Sequence, residues 1–522
     1  MKPLALLLCA LLVPLLVCGA AVPNVGVLRV TATTNELVVA VRSSGGDFTL
    51  AELEPARALA AAATAPVVAR ASGHGEQALR FPRFDGARDR LYSGFVATRA
   101  SGGGREPVGG IHFAEDLDQL SRHRDAYPTP ATKKGLQVQM VEDALALGIR
   151  HCTLNFNLAG LIQLQRQPDS LPWELDGRTY YFSRRYLDSL PVKRLSEAGV
   201  VVNFILLHYL GRAELDAFMK HPRCDPAPPN RLTAFNTVTP DGLRHFKAAM
   251  EFLADRYSST NTANGRVWGY IVGNEVNAHG EWYNLGPATR AELVADYLRT
   301  VRVTHTAVRQ ASAHARVYLS LTHYWDRVMR SGPQRSCEGR GLIDDFNQLA
   351  QAGGDFDWHL AFHPYPENLF EPRTWLDKQP TDREDTPKIT FKNLAVLDAY
   401  FRRPELLHRG QPRRIILSEQ GFNCPDKPDG ELWQAAAYCY AWKRVEGLAG
   451  IDAFILHRHV DHGREGGLNL GLWTRQPDSI ATPARPRKMH EVFRAADTPE
   501  AERAFQFALP VIGLTNWSQL VR

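Results

Sequence analysis

From about Lys134 to Arg494 the chain alternates between two hydrophobic periods, and no other feature restricts the fold as strongly. Runs with helical spacing cover Val138–Leu147, Tyr186–Glu197, Pro240–Tyr257, Leu293–Gln310, Leu394–Phe401, Leu432–Arg444 and Lys488–Arg494. Between them lie short apolar runs of strand type: Ile149–Phe156, Val200–Leu207, Val267–Val272, Val317–Leu321, Trp358–Phe362, Arg414–Leu417 and Asp452–Leu456. A weaker run at Gly135-Leu136-Gln137 supplies a first strand. Apolar residues repeating at 3.6 and at short strand lengths, in alternation except between Val317–Leu321 and Trp358–Phe362, predict parallel strands joined by helices. Eight such units fit a closed (β/α)8 TIM barrel with long loops better than an open sheet.

The segment before the barrel reads differently. Val27–Thr31, Leu37–Val41, Phe48–Leu50 and Tyr92–Val96 are short apolar runs separated by glycine-rich or polar turns. They predict a small β-sandwich-like module over residues 21–107. The alanine-rich Ala56–Ala65 reads as a loop or a single helical turn. The barrel is expected over 108–495, and residues 496–522 as a tail packing on the barrel or the β module. Residues 1–20 read as a signal peptide: Lys2 is the positive end, Leu4–Val17 is apolar apart from Pro14, and Cys18-Gly19-Ala20-Ala21 offers small residues for cleavage. That reading implies a secreted or periplasmic protein. Val17 stands where a lipoprotein signal requires a small residue, which disfavours anchoring through Cys18. No later stretch is long and apolar enough for a transmembrane segment.

Composition excludes several classes. With 522 residues, 44% hydrophobic and 22% charged, the chain can bury a large core unaided. The net charge of +5 is spread over scattered lysines and arginines, so no nucleic-acid partner is expected. Five cysteines follow the signal, an odd number without zinc spacing, and any disulfide pairing stays open. There is no P-loop, no G-x-G-x-x-G after a strand and no G-x-S-x-G elbow.

The chemistry collects just past the strand runs. In a barrel all strand C-termini open on one mouth, where catalytic groups gather. The tips carry Asn155 and Asn157, His208 and Tyr209, Asn274 and Glu275, His323, Tyr324 and Trp325, His363 and Tyr365, Glu419, and His457 and His459. A single histidine or glutamate at a strand end is ordinarily structural. Polar residues at the tips of all seven runs are not accounted for that way. Two carboxylates, Glu275 and Glu419, stand at two of these tips, and two carboxylates are what cleavage of a glycosidic bond requires. Trp282, Tyr283, Tyr324, Trp325 and Trp473 lie in or near the tip loops and offer flat faces for sugar rings.

Asn274-Glu275 after the fourth strand and Glu419 after the seventh resemble the signature of clan A glycoside hydrolases, which are retaining (β/α)8 enzymes. Gly273-Asn274-Glu275-Val276-Asn277, His363-Pro364-Tyr365 and Ser418-Glu419-Gln420-Gly421 also look like an uncharacterised bacterial domain family of unknown function. The resemblance implies Glu275 as general acid/base and Glu419 as nucleophile. It implies Asn274 on the sugar 2-hydroxyl and Tyr365 holding Glu419 as its carboxylate. Asn157, His208, Trp282, Tyr324, Trp325, His363 and His457 complete the expected substrate-binding set. Several clan members carry an arginine late in the second strand and a tryptophan after the eighth; here those places read Asn155/Asn157 and His457. On this reading the partner is a carbohydrate and no cofactor is required.

Two other readings exist. His457-x-His459-x-Asp461-His462 spells a metal motif of metallo-β-lactamase-fold hydrolases, and imidazoles with a carboxylate are ordinary zinc ligands. His490 is the only later histidine, so the remaining ligands of that fold are missing. The other is a non-catalytic carbohydrate-binding barrel, which the presence of both glutamates argues against. The sugar, its linkage, endo or exo action and the oligomeric state are not encoded in any motif.

Overall fold

The computed structural model describes residues 25–520. The signal-like segment therefore lies outside the described residues. Eight parallel strands form a closed barrel: β1 (Lys134–Gln137), β2 (His151–Asn157), β3 (Val201–Leu207), β4 (Gly269–Val272), β5 (Arg316–Thr322), β6 (Trp358–His363), β7 (Ile415–Leu417) and β8 (Ile451–Leu456). The weak first run is a true strand. It closes the ring by pairing Phe454 with Lys134 on one side and Gly135 with His151 on the other.

Side chains alternate along each strand, so every second residue enters the lumen. Ile205, Leu207, Ile271, Tyr318, Ala361, Ile416, Ala453 and Ile455 fill it, with Leu232 above them. Burial of each large aliphatic side chain contributes about 1.5–3 kcal/mol. The intervening residues pack outward against the helices. Pro240–Ser258 starts where Thr239 accepts the Gly242 N–H and Pro240 occupies the first turn. Arg290–Ala311 starts with a capping box between Thr289 and Glu292.

The N-terminal module is a five-stranded antiparallel sheet of Val25–Ala32, Glu36–Leu53, Val67–Pro82, Gly94–Ser101 and Gly104–Phe113. The runs Leu37–Val41 and Phe48–Leu50 are one strand of 18 residues and not two. Gly45 and Gly46, at φ +121° and +79°, absorb a register shift between Ser44 and Asp47 where a turn was expected. The alanine-rich stretch contains a short 3-10 helix, Leu59–Ala63.

The sheet docks on the barrel's outer helices near the end opposite the mouth. The Phe113 N–H donates to the Gly353 carbonyl at 2.9 Å, and Arg302 lies between Phe113 and Phe356. Tyr92 donates to Glu251 at 2.6 Å. In the tail, Ala508–Ile512 packs on the helix Gly430–Val445. Among the described residues the five cysteines are free and buried, and no helix is long and apolar enough to cross a membrane.

Candidate active site

Ile271 sits in the lumen near the end of β4, and Glu275 follows it by four residues across backbone that leaves the strand at Gly273. Glu275 itself adopts the left-handed conformation, φ 44° and ψ 52°. A non-glycine residue held there is strained and needs support from its surroundings. The support is visible. The Glu275 N–H donates to Ser320 Oγ at 2.9 Å. Asn277 clamps the tip of β5, donating to Thr322 Oγ1 and accepting the Thr322 N–H, both at 2.9 Å. Gly273, at φ +75°, has no room for a Cβ, which would stand 2.7 Å from the Tyr283 ring.

Strand β6 reaches both carboxylates. His363 and Tyr365 lie two residues apart and follow Ala361 on the lumen face. His363 Nδ1 bonds Glu275 Oε1 at 2.9 Å, and its Nε2 bonds Ser418 Oγ at 3.0 Å. The Tyr365 hydroxyl donates to Glu419 Oε1 at 3.1 Å. One strand tip thus holds Glu275 through an imidazole and Glu419 through a phenol.

The environment separates the two acids. The Glu275 side chain is only 12% exposed. Burial raises its carboxyl above the ordinary range; the hydrogen bond and charge of His363 act the other way, and the negative Glu419 adds to the rise. Burial pulls the His363 imidazole down, but the hydrogen bond to Glu275 and the charges of Glu419 and Glu275 outweigh it and hold the ring above its usual value. A carboxyl raised by burial and by a neighbouring carboxylate is suited to proton donation near neutrality. Glu419→Gln removes one of the raising causes, so the Glu275 carboxyl is expected to titrate lower in that variant. Infrared titration of the carboxyl band in both proteins is the measurement, and an unchanged midpoint means that the two groups do not interact.

The other expected site residues part company. Asn274 is half-buried beside Glu275, and its Oδ1 has no protein partner. Trp282 packs on the lumen cluster at the mouth. Tyr324 is half-buried, with Lys388 Nζ 4.3 Å from its ring centroid.

Three residues do not serve as expected. Trp325 is fully buried and donates Nε1–H to the Glu384 carbonyl at 2.9 Å, so no sugar can reach its face. His208 is also fully buried, on the outward side of β3, 3.6 Å from Asp216. Asn157 spends its side-chain oxygen on the Ala159 N–H at 3.0 Å and the Tyr209 N–H at 3.3 Å, so it is a cap and a clamp. Of the remaining aromatics, Tyr283 is buried and Trp473 donates to Asp143 at 2.9 Å.

The metal-like motif is dispersed. His457 is held between Gln137 and Glu465, the latter at 3.1 Å. His459 Nε2 bonds Asp143 at 2.8 Å, Asp461 is paired with Arg487, also at 2.8 Å, and His462 accepts the Arg464 N–H at 3.3 Å. The four residues of the motif share no partner. Among the described residues no group of three or more His, Cys, Asp or Glu is arranged to hold a metal ion.

Sequence reasoning passed over Ser320, Asn277 and Ser418. Ser320 and Ser418 could have been found by extending the lumen period, since Tyr318 and Ile416 lie one step below them. Asn277 gives no such signal, because it acts from a loop.

Among solved structures, the fold is similar to a family 39 glycoside hydrolase from the gut symbiont Bacteroides cellulosilyticus WH2, with 13% identity and a TM-score of 0.46 over 91% of this chain and 80% of that one. A hyperthermophilic β-glucosidase from Pyrococcus furiosus is similar at 11% identity and a TM-score of 0.43, over 71% and 86%. A family 1 β-glucosidase from Thermotoga maritima is similar at 10% and 0.41, over 68% and 84%. Likeness at this level bears on neither activity nor substrate. No curated protein matches the chain. The model of one family matches residues 126–520, which take in the whole barrel and both glutamates, and the chain accordingly belongs to that family of unknown function, DUF5722.

Proposed function

We propose that the protein is a retaining glycoside hydrolase. The observation that carries this is the shared support of two carboxylates, Glu275 through His363 and Glu419 through Tyr365, by one strand tip at the barrel mouth. A double displacement needs one carboxyl that donates a proton and one carboxylate that attacks the anomeric carbon. Glu275, raised by burial, is the general acid and then the general base. Glu419, with a phenol O–H on one oxygen, is the nucleophile. Attack forms a glycosyl-Glu419 ester as the leaving oxygen takes the Glu275 proton. Water, deprotonated by Glu275, then hydrolyses the ester and restores both groups. Two inversions at the anomeric carbon give net retention. No step in this sequence calls for a cofactor. Action outside the cytoplasm is part of the proposal, supported by the signal-like Lys2 and Leu4–Val17.

The test is a screen of the purified protein against aryl glycosides and plant or algal polysaccharides, with and without EDTA. Hydrolysis is expected to survive EDTA, and proton NMR of the first product formed should show the substrate's anomeric configuration. A product of opposite configuration would replace double displacement by a single inverting step. Loss with EDTA would restore the metal reading.

A further inference from the structure

The expected substrate set contained Asn157 and His208 from the tips of β2 and β3; the structure buries His208 and engages the Asn157 side-chain oxygen within the protein. The same two strands place two other polar side chains at the mouth. Asn155 pairs in register with Ile205 and Asn157 with Leu207, and both partners are lumen residues. In-register neighbours on parallel strands share a face, so Asn155 points into the lumen. It is nevertheless exposed, although its partner Ile205 is 1% exposed. Water therefore reaches down to this layer of the barrel beside β2. Tyr209 follows Leu207 by two residues, on the same face, and is 36% exposed. Its backbone is fixed on both sides: its N–H donates to Asn157, and it bridges to Leu232.

Both side chains lie on the lumen face at the mouth, which Glu419 borders from β7. Thr153 lies one lumen position below Asn155, and its hydroxyl crosses to the Ser418 carbonyl at 3.3 Å. Two residues along a strand span roughly 6.6 Å, so Asn155 stands directly above the contact that places Ser418 and Glu419. Burial raises the Tyr209 phenol, and the negative charge of Glu419 raises it further. Tyr365 holds Glu419 from β6.

The wall these residues make is uncharged. An amide and a phenol face the pocket on this side. Four arginines of the surrounding tip loops are turned to the protein. Arg212 donates to the carbonyls of Ala159 and Ile162 at 2.6 and 2.7 Å, and Arg231 to that of Leu210 at 3.0 Å. Arg335 is paired with Asp225 and Arg458 with Glu465. A sugar carboxylate or sulfate placed beside Glu419 would meet like charge while these four guanidiniums are engaged by the protein, and recognition of such groups ordinarily uses arginine.

We propose that Asn155 and Tyr209 form the wall that holds the sugar ring against Glu419, and that this wall selects a neutral sugar over a uronate or sulfated one. The proposal rests on the glycosidase reading for its reaction, but its residues can be tested without turnover. The amide of Asn155 donates to one ring hydroxyl and accepts from another, and Tyr209 offers a ring face and one O–H.

The probes are the 4-nitrophenyl β-glucoside, β-galactoside, β-mannoside, β-xyloside and β-glucuronide. At least one neutral glycoside is expected to be cleaved, with the glucuronide down by about a hundredfold or more. Asn155→Ala and Tyr209→Phe should each lower kcat/KM on the preferred glycoside by roughly tenfold to a hundredfold, the range for a lost substrate hydrogen bond. Both residues are exposed, so the thermal midpoint should not move. On a deoxy analogue that lacks the hydroxyl read by Asn155, the wild type and Asn155→Ala should be equal. A structural role would lower both substrates alike. Variants within twofold of the wild type overturn the wall, and a glucuronide cleaved as fast as the neutral sugars overturns the selection.

Should the wild type cleave no glycoside, the hydrolase reading falls and binding decides. Saturation-transfer NMR with glucose, galactose, mannose, xylose and glucuronate is then read on the wild type and Asn155→Ala. Binding of a neutral sugar that is lost in Asn155→Ala keeps the wall. Binding of none, or of glucuronate foremost, overturns it.

Discussion

Glu419→Ala is expected to be inactive on every glycoside, whatever its leaving group. The nucleophile is needed before any bond to the aglycone can break, so activating the leaving group does not bypass its loss. The decrease should be the largest of any single substitution, on the order of 10⁶-fold, as for removal of a nucleophile in other covalent enzymes. Azide should restore part of the activity. A small anion fits the space vacated by the carboxylate, below the sugar ring and beside Tyr365, whose hydroxyl has lost its acceptor. Attack from that side in one displacement gives a glycosyl azide of the opposite anomeric configuration. Proton NMR of the azide product is the measurement. Full activity without azide would mean that Glu419 is structural, and the glycosidase reading would be wrong.

Part of the site could be read where a two-residue spacing runs on past a strand; Glu419 could not, because Ile416 and Ser418 hold that face of β7, and it is read from its residue type at the end of an apolar run. Ala361, His363 and Tyr365 continue one face of β6, and Glu275 keeps the two-residue spacing of Ile271 although positive φ at Gly273 and at Glu275 takes the backbone out of the strand. The same repeat, applied strictly, separates Tyr209 from His208 and Tyr324 from Trp325. In each pair the even or odd step that continues the lumen face stays near the mouth, and its neighbour turns outward into the core. Choosing His208 and Trp325 by residue type gave up that information.

What stayed hidden depends on partners far apart in sequence. Nothing near His457 announces Gln137, nothing near His459 announces Asp143, and nothing near Asp461 announces Arg487, yet these contacts dissolve the apparent metal motif. The hairpin Ser170–Leu175 and Arg178–Ser183, inserted after β2, is a different case. Asp176-Gly177, with φ of 51° and 73°, is the turn that such a hairpin favours, and its signal stood in the sequence unread. The 18-residue strand of the N-terminal module was divided for the opposite reason: Gly45-Gly46 looks like a turn and is a bulge. Glycine pairs mark a change in backbone direction without saying whether the strand ends there.

Glu275→Ala should separate the two carboxylates by leaving-group dependence. Removing a general acid typically costs about 10²–10⁴ in rate. In this variant the cost should fall on substrates with poor leaving groups, such as alkyl glycosides and natural oligosaccharides, because their departing oxygen needs a proton. Dinitrophenyl glycosides leave as stable anions, and Glu419 can still attack them, so formation of the glycosyl-enzyme should be largely spared. Its hydrolysis then lacks a base for water, and the intermediate should accumulate as a burst of dinitrophenol followed by slow turnover. Azide needs no base. It should speed the second step and give a glycosyl azide that keeps the substrate's configuration, because Glu419 has already performed the first inversion. The surroundings of Glu275 sharpen the comparison. His363 keeps its bond to Ser418 when Glu275 is lost, so the β6 tip stays anchored and the variant should fold. Rescue with retention here, against rescue with inversion in Glu419→Ala, assigns acid/base to Glu275 and nucleophile to Glu419. The reverse pattern exchanges the two roles, and the reason would have to lie in burial, since Glu275 is the carboxyl that the fold holds above its ordinary range.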